Sequence, residues 1–322
     1  MGGIKQKVLV ALLLGVFCPA LWAIECAPGD IFLTRQLDID HFQADYGPCN
    51  EVVAGLDIQG ADISNLDGLS AVTRVGGDLF ITETFVLPNL DGLRSLTAVG
   101  GHFGLFHDFA LLNVDGLSSL GFVGKNFGIY ANPELVDIDG LASLTRVDGF
   151  MGVTDLHSLT NIDGLGSLTQ LGGSLVFNVN AELTDLDGLI ALEAVGGGII
   201  VKNSPKLVSV DGLGSIKSVR YALHIEGNQS LALCAGLRVL MDTVDDAEPG
   251  PGSGLVPDVG GWILLGGNVP GCNSVRQILH GVALQTPLHG VPMLGQWALY
   301  LLVGFVLVVG LRASRGGPRS YS

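Results

Sequence analysis

Seven aspartates stand at one fixed interval along the chain: Asp67, Asp91, Asp115, Asp139, Asp163, Asp187 and Asp211, each followed by glycine. Carboxylates repeated at one spacing have two chemical uses. They can bridge Ca²⁺ ions, or they can accept backbone N–H groups and cap the tight turns that Asp-Gly pairs make. Stacked one turn apart, at about 4.8 Å, neighbouring charges repel by roughly 1 kcal/mol in water and about 3.5 kcal/mol at an effective dielectric of 20. Something in the fold must offset that repulsion. No unit carries the several acidic ligands that a calcium-binding repeat presents, so turn capping is the expectation and Ca²⁺ on the Asp67–Asp211 ladder the alternative.

The cysteines are the next reactive set. Cys18 falls within the apolar N-terminus, which leaves Cys26, Cys49, Cys234 and Cys272. An even number in an exported chain implies disulfides, and four cysteines allow three pairings. Pairing within each end, Cys26 with Cys49 and Cys234 with Cys272, is the natural choice, because the repeat separates the two sets. No Cys-x-x-Cys is present to support zinc or redox chemistry. Catalytic signatures are absent as well: the chain has no Gly-x-Ser-x-Gly, no His-Glu-x-x-His and no phosphate-binding loop. The candidate acids Glu83, Asp155 and Glu226 are dispersed over different repeats, and a non-enzymatic role is expected.

The elements that must position these residues follow from the columns of the repeat. After each Asp-Gly comes a leucine (Leu69 to Leu213), then apolar residues three and six positions on, such as Leu96 and Val99. The spacing then drops to two, as in Leu79 and Ile81 or Phe103 and Leu105, which marks a short strand with one buried face. Two more columns, Leu87 to Leu231 and Leu66 to Val210, close the turn. A period of this size means a solenoid, here of about eight turns, whose units bury their apolar faces only by stacking. An imperfect column of Asn132, Asn180 and Asn228, with Asp108 and Ser204 in register, is expected to satisfy backbone groups at a turn. Outward strand positions vary more. Phe80, Phe106 and Tyr130 stand beside Gly104, Gly128 and Gly152, with Glu83, His102 and His107 nearby. Exposed rings over a glycine floor are suited to a sugar ring or a peptide, so Phe80, Glu83, Phe106, His107 and Tyr130 form the candidate ligand face.

Fragments such as "NIDGLGSLTQLGGSLVF" and "ELTDLDGLIALEAVGGGIIV" resemble the receptor L-domain, as does the opening "GDIFLTRQLDIDHFQADYGPCNEVVAGLDIQG". The resemblance implies a mainly β fold, a right-handed parallel β-helix related to leucine-rich repeats, with helical, disulfide-closed caps. It also implies ligand recognition, by an extracellular glycan or protein, along the sheet face.

Residues 1–23 read as a signal peptide, with Lys5 and Lys7 before "VLVALLLGVF" and cleavage after Ala20 or Ala23. An N-terminal cap spans 24–50, the solenoid 51–237, and a C-terminal cap and linker 238–285, with the repeat expected to stop after Cys234. The end of the chain, 286–322, holds an uncharged run from Val291 to Leu311 followed by Arg312, Arg315 and Arg319, long enough to cross a bilayer with the arginines cytoplasmic. It resembles the bacterial sorting signals named for an Ile-Pro-Thr-Leu motif, which here reads Val291, Pro292, Met293, Leu294, with Trp297 after it. Export machinery, a C-terminal sorting protease and the membrane are therefore expected partners of a surface-anchored adhesion module. A purely structural envelope protein is the alternative, and a polysaccharide-acting β-helix enzyme is the more distant one. Between the two ends lie 11 basic and 31 acidic residues, a formal charge near −20, which disfavours nucleic acid.

Overall fold

The computed structural model describes residues 23–26, 28–241 and 259–280. All belong to one compact unit, Met1–Ala283, while a second, Leu284–Ser322, lies outside them. The expected signal peptide up to residue 22, the expected sorting motif and the expected membrane run fall outside the described residues, among which no helix is long and apolar enough to cross a membrane.

The regular period becomes a parallel β-solenoid. Four-residue strands such as Leu79–Thr82, Phe103–Phe106 and Phe127–Tyr130 stack in chain order into a ten-stranded parallel sheet, with Leu79 opposite Phe103 and Phe103 opposite Phe127. Two-residue strands such as Arg74–Val75 and Ala98–Val99 build a second parallel sheet of eight. On a third side, single bonds run from turn to turn, including Leu112 N–H to Pro88 O and Val136 N–H to Leu112 O. Every Asp-Gly-Leu forms a short 3-10 turn, from Asp67–Leu69 to Asp211–Ser215. The apolar columns point inward as the period requires: Leu90, Leu93, Leu96, Val99, Phe103, Leu105 and Leu111 of one turn are all fully buried. At about 1.5–3 kcal/mol for each such side chain, these columns merge into one core running the length of the stack.

The long sheet exceeds the expected eight turns by two rungs. One is Ile31–Leu33 in the N-terminal cap, paired with Leu56–Gln59. The other corrects the expectation that the repeat stops after Cys234, because Ile263–Gly266 pairs with Leu223–Glu226. Equivalent positions on these last two rungs, such as Asn228 and Asn268, are 40 residues apart, whereas Ser204 and Asn228 one rung earlier are 24 residues apart. The inserted segment separates "VGGWILLGGN" from the turn below it, hiding its likeness to earlier units. Cys234–Cys272 and Cys26–Cys49 are both bonded, with Cα separations of 5.9 and 5.0 Å, and each closes one end of the stack. Closing loops of 23 and 38 residues contributes on the order of 3–4 kcal/mol each in the chain-entropy account. Short helices lie at both ends: Gln36–Asp40 and Phe42–Asp45 at the first, Arg238–Met241 and Val275–His280 at the last, where Ser274 Oγ accepts the Gln277 N–H.

The Asp-Gly pairs work differently from expectation. The residue two before each aspartate caps the turn: Asn65, Asn89, Asn113, Asp137, Asn161, Asp185 and Ser209 accept the N–H of Asp67, Asp91, Asp115, Asp139, Asp163, Asp187 and Asp211 at 3.0–3.2 Å. The aspartates themselves are exposed, and Asp211 Oδ1 reaches up to the Gly236 N–H at 2.8 Å. The glycine is required by close approach. A Cβ on Gly116 would stand 1.7 Å from the Leu90 carbonyl oxygen of the turn below, and one on Gly140 1.9 Å from that of Val114.

Candidate ligand-binding face

The outer face of the ten-stranded sheet is built by alternate strand residues, so each rung contributes two side chains. At the N-terminal half these are Phe80 with Thr82, Gly104 with Phe106, Gly128 with Tyr130, and Gly152 with Thr154. The rings form a ribbon along the stack: Phe80 and Phe106 centroids are 6.0 Å apart, and Phe106 and Tyr130 stack at 5.4 Å with planes 7° apart. The glycine floor is occupied by these rings. A Cβ on Gly104 would meet the Phe106 ring at 2.1 Å, one on Gly128 the Tyr130 ring at 2.4 Å, and one on Gly152 the Tyr130 hydroxyl and the Phe150 ring at 2.1 and 2.5 Å. In consequence Phe80 and Phe106 are buried, 6% and 8% exposed, and Tyr130 is half-buried, which differs from the expectation of exposed rings over open glycines. Burial also pushes the Tyr130 phenol above its ordinary range.

Glu83 and His107 lie where the strands end. Each is exposed and left-handed, with φ of 55° and 58°, in a column continued by Ala131, Asp155, Val179 and Asn203. This conformation turns the chain sharply off the sheet, so that the next residue, Thr84 or Asp108, points into the core. Glu83 accepts a hydrogen bond from Gln59 Nε2 at 2.8 Å. Two residues past this column stand Phe85 and Phe109, half-exposed, with centroids 5.6 Å apart, and the His107 ring is 6.3 Å from Phe109. His102 serves the backbone. Its Nδ1 accepts the Asn126 N–H at 3.3 Å, continuing a line in which Asp78 Oδ1 accepts the His102 N–H at 2.9 Å.

The far half of the face is mixed, with Val176, Ile200 and Leu264 in one outward column and Asn178, Lys202 and Glu226 in the other. Lys202 Nζ lies 3.0 Å from Glu226 Oε2, and His224 Nε2 lies 2.9 Å from the same oxygen. Hydrogen bonding from Lys202 holds the Glu226 carboxyl below its usual range, and burial lowers His224, so at neutral pH a carboxylate sits between an ammonium and a neutral imidazole. Asp155 pairs with His157 at 3.7 Å, away from this cluster. Among the described residues no three His, Cys, Asp or Glu side chains converge as a metal site, the Asp67–Asp211 column included.

The structure thus brings Phe80, Phe106 and Tyr130 into one ribbon and sets Glu83 and His107 along its edge. Phe150, Phe85, Phe109 and the Lys202–His224–Glu226 cluster were not singled out from sequence. Their signal lay in columns read too narrowly: Phe150 precedes the strand by one residue, and Phe85 and Phe109 are the aromatic members of a column continued by Pro133, His157 and Ala181. No protein-family model matches the chain, and no curated protein matches it in sequence.

Proposed function

We propose that this chain is an exported, non-enzymatic recognition module of the receptor L-domain kind, held at the cell surface by its C-terminal segment, which binds an extracellular glycan or protein along the long sheet. The two disulfides fit an oxidising compartment. The observation that carries the reading is the pair of half-exposed rings Phe85 and Phe109, 5.6 Å apart with the exposed His107 beside them, at the edge of a parallel sheet whose outer face is paved by the largely buried Phe80, Phe106 and Tyr130. Exposed rings held on a rigid sheet edge offer contact area at little entropic cost, which suits sugar faces and apolar side chains alike, and the paved face beneath keeps them in place. The right-handed coil and the anchoring role of Val291, Pro292, Met293, Leu294 and Trp297 belong to the same reading.

The test is binding of residues 24–285 to a glycan and protein array, with and without Ca²⁺. A selective ligand that loses roughly tenfold or more affinity on Phe106→Ala, Tyr130→Ala or Phe109→Ala supports recognition on this face. A ligand indifferent to all three substitutions moves recognition elsewhere. Silence across the array favours the structural envelope role, and release of reducing sugar from polysaccharides would reinstate catalysis.

A further inference from the structure

One interior column runs through the corners that end the long-sheet strands: Thr84, Asp108, Asn132, Leu156, Asn180, Ser204 and Asn228, all fully buried, with Asn268 on the last rung. Its four asparagines make the same pair of bonds. The carboxamide oxygens of Asn132, Asn180, Asn228 and Asn268 accept the N–H of the residue one rung below, Asp108, Leu156, Ser204 and Asn228, at 2.8–3.2 Å. Their Nδ2 groups donate to the strand carbonyls of Leu105, Val153, Val201 and Ile225 at 2.9–3.2 Å.

Asp108 reproduces the first bond. Its Oδ1 accepts the Thr84 N–H at 3.0 Å and the Thr84 hydroxyl at 2.6 Å. Its Oδ2 stands in for the donating nitrogen of an asparagine, and no hydrogen-bond donor reaches it. By the sheet register, in which Ile81 lies opposite Leu105, the carbonyl that a donor at Oδ2 would serve is that of Ile81. A buried carboxylate oxygen placed for a carbonyl is repelled by it, whereas a carboxylic acid there donates.

We propose that Asp108 is held as the neutral acid, its Oδ2–H donating to the Ile81 carbonyl oxygen as an asparagine would, and that loss of this proton opens the corner carrying Glu83, Phe85, His107 and Phe109. The rung is a proton-operated latch in the core. Burial supports it by pushing the carboxyl up to about 7, and the Glu83 carboxylate on the rung below adds to that rise. The Thr84 bonds to Oδ1 oppose it, as does the nearby Phe106 amide, which makes no hydrogen bond to Oδ2. His107, beside Asp108 on its own corner, is exposed, and the corner above presents Ala131 and Asn132, which carry no charge.

Carbon-13 NMR titration of the Asp108 carboxyl in the full chain reads the proton directly. The expected midpoint is near neutral; one at the ordinary value, about 3.9, overturns the proposal. Thermal melts give an independent reading. The unfolded chain loses this proton from about pH 3.9 and the folded chain only near 7, so in that window the unfolded state binds fewer protons and wild-type stability falls as pH rises. Relative to Asp108→Asn, the wild-type Tm should drop progressively from about pH 4 to about pH 7 and stay level above. Asn180→Asp should install a second fall of the same sign. Parallel pH profiles for wild type and Asp108→Asn overturn the latch. Chymotrypsin cleavage after Phe85 and Phe109 at pH 8 should be faster in wild type than in Asp108→Asn, and equal rates overturn the opening of the corner.

Discussion

Single side chains decide how closely the turns can stack, and two substitutions separate close approach from turn propensity. Gly140→Ala places a methyl 1.9 Å from the Val114 carbonyl oxygen, whereas at Gly121 the nearest atom stands 3.6 Å away. Urea unfolding should show a loss of about 3 kcal/mol or more for Gly140→Ala and almost none for Gly121→Ala. Equal losses would mean that glycine serves the turn itself. Val179, left-handed at φ 56°, is the β-branched member of the column that ends the strands, where its neighbour one rung up is Asn203. Replacing it by asparagine should raise stability by about 1 kcal/mol, since L-residues other than Asn, Asp and Gly are strained there; a lower Tm would count against strain at this site. The repeat made the need for glycine visible but misassigned the aspartate. "NLDGL", "NVDGL" and "NIDGL" display the capping asparagine two residues earlier, yet Asp-Gly is so common a turn that the more conspicuous pair took the role.

At the scale of elements, the strands were legible because each alternates over two inward positions, while the last rung was not, because an inserted segment breaks its spacing from its neighbour. Its dependence on the Cys234–Cys272 bridge is open to measurement. Hydrogen exchange of a Cys234→Ser, Cys272→Ser variant should show protection lost at Ile263–Gly266 and retained at Phe127–Tyr130, since terminal units of a one-dimensional stack fray first. Uniform loss along the chain would mean that the bridge supports the whole solenoid. The aromatic ribbon was half legible for a similar reason. Sequence columns place Phe106 beside Gly104, but which way the ring folds depends on the space the glycine leaves, and that is a property of the assembled sheet.

The repeat carries one set of its acidic residues, Asp67 to Asp211, as a stripe along the stacked 3-10 turns. Slight desolvation by the adjoining turns, together with the charges of Asp137, Asp163 and Asp115, raises the carboxyl of the exposed Asp139, and Asp187 is raised in the same way with Asp185, Asp211 and Asp163. For these groups the folded state holds protons more readily than the unfolded chain, so their contribution to stability falls as pH rises from about 3.9 through the raised values. Screening should therefore help: at pH 7, Tm should climb as NaCl increases from about 10 mM to about 150 mM, where the Debye length shrinks to about 8 Å. Added Ca²⁺ should do no more than its ionic strength predicts. A Ca²⁺ response far above that would bring back ion bridging between the aspartates. The same register that stacks these charges also makes the turns interchangeable. Each join presents the same carbonyl to the same glycine, and within each turn the same Asn- or Asp-type cap meets the same N–H. Length is consequently a free variable: unequal crossing-over between copies can add or remove a whole turn and leave every remaining junction as it was, making the number of rungs a trait that inheritance can tune without redesigning the fold.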